Sequence, residues 1–283
     1  MISAVVSVLV AVYIGIFLIA FAIQDKMVFP AGGSLWRTPD SFGWPYEEIR
    51  LSVQSKTTHA WFIPCPNSRG VVLFSHGNGG TMSDRLEVAS VFRSLGLDVL
   101  LYDYGGYGAS TGRPSETRCY ADARAMWDFL TREKGIPPDR IVLFGESLGG
   151  GVAVDLAAER TPGAVILMST FLSAVRVGQE AFPFLPVRLF LRHRFNNEDK
   201  IGHVTAPVLV IHGPEDEIVS FRHGEKLFEL ANEPKEFLQI HGGHNDGFFL
   251  SETVIADALR KFLDAHVAGE PRPTGTPSGD TTE

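Results

Sequence analysis

Residues 2–23 carry no charge and are dominated by Val, Ile, Leu, Phe and Ala. As a helix rising about 1.5 Å per residue they would extend roughly 33 Å, enough to cross the hydrocarbon core of a bilayer. The stretch 24–45 replaces that run with Gly, Pro and aromatic residues and reads as a linker. Beyond it the apolar runs become short. Residues 46–53 and 59–63 have strand patterning around the polar turn Gln54-Ser55-Lys56-Thr57, which predicts an antiparallel edge pair. From there strand and helix patterns alternate. Strands are predicted at 71–75, 99–104, 141–144, 164–169, 208–212 and 236–241, and helices at 84–95, 116–134, 148–159, 222–231 and 253–265. Such alternation implies parallel strands joined by right-handed helical crossovers, hence an α/β, mostly parallel, doubly wound sheet with helices on both faces.

One connection breaks the rhythm. The stretch between Ser169 and Val208 is too long for a plain loop and interleaves Phe171, Phe182, Phe184, Phe190 and Phe195 with Arg176, Arg188, Arg192 and Arg194. Two readings compete. One is a crossover helix with packing, its arginines solvated or snorkelling. The other is a small cap insertion at about 171–203 that supplies an apolar pocket or a membrane-facing surface. At the end, 268–283 is Pro, Gly, Thr and acid without apolar content, and is expected to be a disordered tail. The expected organisation is a transmembrane anchor at 2–23, a linker at 24–45, one domain at 46–267 carrying the cap, and the tail.

Composition narrows the class. A chain of 283 residues, 45% hydrophobic, can bury a large core. Its net charge of −8 argues against a nucleic-acid partner. Cys65 and Cys119 are the two cysteines, too few to read a disulfide framework. For the N-terminal run, Ala20-Phe21-Ala22 has the form of a signal-cleavage site, which makes secretion after cleavage the alternative to an anchor. Against cleavage, no basic region precedes the run, and the run exceeds the usual apolar length of about 7–15 residues. A retained single-pass anchor is therefore expected. Lys26 and Arg37 follow it and no Lys or Arg precedes it, which leans toward a cytoplasmic domain.

The candidate chemistry centres on Gly145-Glu146-Ser147-Leu148-Gly149. The G-x-S-x-G pattern alone is weak, but here it joins a β-branched strand to an alanine-rich helix, the setting of a nucleophile elbow. Serine hydrolysis also needs a base, an acid to orient it and donors for the oxyanion. On one fold that carries this chemistry the order is Ser, acid, His. Asp216 follows the strand at 208–212 and is the chosen acid, with Glu215 and Glu217 as neighbours that sequence alone does not exclude. Of nine histidines, His244 follows that acid in the glycine-rich loop Gly242-Gly243-His244-Asn245-Asp246 and is the chosen base. Because the base must be neutral, activity should fall on acidification. His241, His244 and Asp246 lack a third zinc ligand at recognised spacing, so no metal or cofactor is expected. The turn Ser75-His76-Gly77-Asn78-Gly79-Gly80 is suited to aim the amide of Asn78 or Gly79 at the oxyanion, with Leu148 N–H as second donor. It lacks the Lys and Ser/Thr of a phosphate-binding loop.

These segments, with Asp103-Tyr104-Gly105-Gly106-Tyr107-Gly108-Ala109-Ser110, resemble a serine α/β-hydrolase of the membrane-anchored group that includes esterases and protein depalmitoylases. The resemblance covers roughly 46–265 and departs at Gly105, where relatives often carry Arg or Pro. It implies the α/β-hydrolase fold and cleavage of a carboxylic ester or thioester through an acyl-enzyme. Ser147 would attack, His244 would shuttle the proton and Asp216 would orient the imidazole. Expected substrates are small-molecule, lipid or acyl-protein esters. Serine peptidase or acyltransferase chemistry, and a non-catalytic scaffold, are the alternatives. Serine rather than Asp or Cys at 147 disfavours dehalogenase, epoxide hydrolase and dienelactone hydrolase chemistry.

Overall fold

The computed structural model describes residues 2–267, so the tail expected at 268–283 lies outside the described residues. Eight strands, β1 Glu47–Val53, β2 Lys56–Ile63, β3 Gly70–Ser75, β4 Leu97–Asp103, β5 Ile141–Glu146, β6 Ala164–Met168, β7 Val208–His212 and β8 Lys235–Gln239, form one sheet in the order β1-β2-β4-β3-β5-β6-β7-β8. β2 pairs antiparallel with β1 and with β4, and every other pairing is parallel. The helices are α1 Ile2–Val28, α2 Leu86–Ser94, α3 Glu116–Asp128, α4 Leu148–Glu159, α5 Ala174–Ala181, α6 Val187–Phe190, α7 Phe221–Leu230, α8 Gly247–Leu250 and α9 Glu252–His266.

The apolar runs of β3 and β5 are buried along their length because helices cover both faces. Alternation divides them between two cores. Val71, Leu73, Ile141 and Leu143 pack with Met126, Val152 and Leu227 of α3, α4 and α7. Val72, Phe74, Val142 and Phe144 pack with Phe92 and Phe262 of α2 and α9. The register Ser75↔Gly145 and Glu146↔Met168 brings the ends of β3, β5 and β6 level, which creates the edge where the site is built.

Three local expectations change. The hairpin at 54–57 is tighter than its composition suggests. Gln54 and Ser55 alone make the turn, both left-handed at φ 51° and 59°, a geometry whose twist matches that of the paired strands. The helix predicted at 116–134 ends at Asp128 and finishes in a π turn over Phe129–Glu133, which carries Phe129 and Leu130 into the core. Finally, 24–45 is no slack linker. α1 continues to Val28, Phe29 is buried, Trp36 Nε1 donates to Asp84 at 2.7 Å and Arg37 Nε donates to the Ser83 carbonyl at 2.9 Å.

The long connection between β6 and β7 packs in two separate parts. Phe195 and Ile201 join the main core as crossover packing. Leu185, Val187 and Leu191 form a separate cluster with Phe182 and Phe190, against which Ala20 and Val28 of α1 pack.

Candidate active site

Ser147 stands between β5 and α4 with φ 51° and ψ −116°, a conformation that costs a non-glycine residue about 1–3 kcal/mol. Its surroundings over-determine that backbone. Ser147 N donates to Met168 O at 2.9 Å, and Ser147 O accepts from Thr170 Oγ1 at 2.6 Å. Glycine is required on both sides because the turn is crowded. A Cβ at Gly145 would come within 2.5 Å of Gly149 O, and one at Gly149 would collide with Ser75 O.

The structure brings the three separated residues together. Ser147 Oγ lies 2.9 Å from His244 Nε2, and His244 Nδ1 lies 2.8 Å from Asp216 Oδ2. With Nδ1–H donated to Asp216, the Nε2 lone pair faces Ser147 Oγ. The three acids left open by the sequence separate cleanly. Asp216 faces the imidazole, Glu217 Oε2 accepts the His244 backbone N–H at 3.1 Å, and Glu215 lies 3.6 Å from the exposed His241.

Asp216 is buried, which alone would raise its pKa. The opposing donors win. His212 and His244 approach Oδ2 at 3.2 and 2.8 Å, while the amides of Ile218 and Val219 donate to Oδ1 at 3.0 and 2.7 Å. Together they hold the carboxyl well below the usual carboxylate range. The contribution of His212 is not legible in sequence, where it reads as the last residue of a strand.

The 75–80 turn runs beside the serine: a Cβ at Gly77 would lie 3.5 Å from Ser147 Cβ. Tyrosines from the end of β4 brace it. Tyr104 OH donates to His76 O and Tyr107 OH to Asn78 O, each at 2.9 Å, and Tyr102 OH shares a 2.7 Å hydrogen bond with Ser75 Oγ. Arg85 adds a 3.0 Å bond to Gly79 O and pairs with Glu146 at 2.8 Å. Leu148 opens α4, so its N–H is a first-turn amide with no carbonyl partner inside the helix. Gly105 has a packing reason: a Cβ there would lie 2.8 Å from Nε of Arg118, whose guanidinium bonds Asp122 and Thr58. Among the described residues no group of three or more His, Cys, Asp or Glu is placed to hold a metal.

Ser147, Leu148 and His244 open into a cavity of about 810 Å³ whose other walls are largely apolar, from the 171–191 segment and, unexpectedly, from α1. Asn78 Nδ2 reaches back to the Val28 carbonyl at 3.3 Å, tying the 75–80 turn to the end of that helix.

A family model described as serine aminopeptidase, S33 matches residues 66–197, a stretch that includes the 75–80 turn and Ser147 and stops before Asp216 and His244. An uncharacterized protein of Mycobacterium tuberculosis is 38% identical over 263 residues, covering 92% of this chain and 94% of that protein. The human alpha/beta hydrolase domain-containing protein 17B is 42% identical over 191 residues, 65% of this chain and 64% of its own length. Among solved structures, a Pyrococcus furiosus esterase superposes with a TM-score of 0.70 at 19% identity, over 82% of this chain and 95% of that one.

Proposed function

The chain belongs to the α/β-hydrolase superfamily, and from that premise we propose that it is a serine hydrolase cleaving carboxylic ester or thioester bonds beside a membrane. The observation that carries the reading is the continuous relay from Asp216 through His244 to Ser147 on a strained turn at the mouth of an apolar cavity. Ser147 Oγ attacks the acyl carbonyl while His244 Nε2 takes its proton. Asp216 keeps the imidazole in the required tautomer and stabilises the imidazolium. The amides of Leu148 and of Asn78 or Gly79 hold the oxyanion. His244 then returns the proton to the leaving alcohol or thiol, and water repeats the sequence on the acyl-enzyme.

A peptidase reading is prompted by the description of the matching family. An aminopeptidase needs a free carboxylate to hold the substrate's amino group. The acids lining the cavity, Asp84 and Glu146, are already engaged, by Thr81 N and Trp36 Nε1 and by Arg85 respectively. The apolar remainder favours an acyl chain. Membrane retention of α1 is supported by its packing: cleavage after Ala22 would remove Ala20 from the cap cluster and cut the helix two residues before the buried Gln24.

Fluorophosphonate labelling of the full-length protein in detergent tests the reading. Wild type is expected to label and Ser147→Ala to lose at least 90% of the signal, roughly one order of magnitude of reactivity or more. Folded wild type that resists the probe would sink the proposal.

A further inference from the structure

α1 is docked on the cap along its whole second half. Tyr13 OH donates to Phe184 O at 3.0 Å, and Phe17 meets Phe190 edge-on at 5.2 Å. Lower down, Arg192 lies 4.7 Å over the Phe21 ring, and Gln24, buried, accepts the Arg192 backbone N–H at 2.9 Å. Asp25 then pairs with Arg192 at 3.4 Å and with His193 at 3.2 Å. The contacts thus pass from aromatic at the top to ionic at the bottom. The adjoining face, with Ile16, Ile19, Ile23 and Met27, lines the same cavity as Ser147 and His244.

Depth follows from length. Residues 2–23 are the chain's charge-free run, and their roughly 33 Å barely exceeds a hydrocarbon core of about 30 Å. The contacts from Tyr13 to Asp25 occupy about 18 Å of helix axis. With Asp25 at the boundary, Phe17 and the Phe190 ring against it lie about 12 Å in, within a leaflet of about 15 Å, and the Tyr13 contact reaches the midplane.

The carbonyls of the cap tip meet one demand of that setting. Backbone in hydrocarbon must satisfy its polar groups internally. Every carbonyl from Phe182 to Pro186 accepts a hydrogen bond from within the protein. Leu185 N donates to Phe182 O at 3.0 Å, Gln179 Nε2 to Pro183 O at 3.3 Å, Tyr13 OH to Phe184 O, Val187 N to Leu185 O at 2.9 Å and Leu189 N to Pro186 O at 2.9 Å. Pro183 and Pro186 have no N–H to satisfy. Phe184 and Leu189 meanwhile present apolar side chains that are 58% and 82% exposed to their surroundings.

From this we infer that α1 is a wall of the substrate site as well as an anchor. The cap tip is a wedge set into the leaflet beside it, and the cavity between them is a lateral port through which a long fatty acyl chain passes from the bilayer to Ser147. The acyl-transfer step rests on the hydrolase reading above, whereas the port and wedge do not. Acyl chains of membrane lipids and of lipidated proteins share this chemistry, and the port selects the chain rather than its carrier.

The test uses the full-length protein in phosphatidylcholine vesicles, with p-nitrophenyl butyrate and p-nitrophenyl palmitate as substrates. Narrowing the port with Ile23→Trp or Ala20→Trp is expected to lower the palmitate-to-butyrate ratio of kcat/KM at least about 10-fold, the scale on which an apolar pocket discriminates between chains that differ by a methylene or more. Leu9→Trp, outside the cavity lining, should leave the ratio unchanged. In parallel, the added emission of Phe184→Trp should be quenched by lipids brominated along their acyl chains. Butyrate hydrolysis with an unmoved ratio and an unquenched Phe184→Trp would overturn the inference. Quenching without Ser147-dependent hydrolysis of either ester would leave the wedge standing and sink the hydrolase reading instead. Palmitate delivered on a soluble acyl-peptide and as a vesicle lipid then separates the two carriers.

Discussion

At Ser147 backbone strain falls on the residue proposed as nucleophile. The conformation that projects Oγ toward His244 is one that a free serine seldom adopts, and the bonds to Met168 and Thr170 hold it there. Asp216 shows how a residue's role is decided by its partners. Two histidine rings and two backbone amides point at its carboxylate, and their sum outweighs burial. Asp216 therefore stays ionised far into acid, and the acid limb of activity belongs to the base alone. The hydrolytic rate should fall on acidification, because a base must be neutral to take the Ser147 proton. A rate that does not fall with acidification would count against His244 as that base. Asp216→Asn should keep the fold and lower kcat by about 10³-fold or more, through loss of the required tautomer. A tenfold effect or less would show that the imidazole is oriented by something else.

At the scale of elements, the site depends on strands ending together and on tyrosines that brace one turn from another. His223 on α7 couples the start of the 171–203 segment to pH. Leu172 N donates to His223 Nδ1 at 3.1 Å, so that nitrogen must be unprotonated, while Nε2 faces Glu180 at 3.3 Å. Burial lowers the His223 pKa below its ordinary value, and His59 is lowered by burial in the same sense. A depressed histidine contributes stability in full above the unfolded value of about 6.5 and loses it as pH falls below that value. The melting temperature should therefore hold steady from pH 8 to 7 and decline from about pH 6.5 to 5. His223→Gln should reduce the steepness of that decline. An identical slope in the variant would place the titration elsewhere.

At the scale of the molecule, α1 and the 29–45 strap belong to the folded unit. Phe29 is buried, and the strap is tied to Ser83 and Asp84 in the 3₁₀ turn Met82–Arg85 just ahead of α2. A chain beginning at Pro30 should melt at least about 5 °C lower in detergent, since uncovering the cap cluster and cutting the Val28–Asn78 tie costs a few kcal/mol at about 2–4 °C each. An unchanged melting temperature would reduce α1 to a tether. The alternation of runs determined the doubly wound sheet, and the glycines around Ser147, read with the strand before and the helix after, determined the elbow. The order of Ser147, Asp216 and His244 was legible for the same reason: period, propensity and the demand for glycine act over a few neighbouring residues and leave a local mark. Other features carry no such mark. The setting aside of Glu215 and Glu217 beside Asp216, the approach of His212 behind it, the tyrosine braces, and Gln24 fastening α1 to the 182–192 segment depend on contacts between distant positions. Ser147 and His244 are 97 residues apart, and Gln24 and Arg192 are 168 apart. Only the packed sheet and cap, which fix where each chain segment ends in space, decided those pairings.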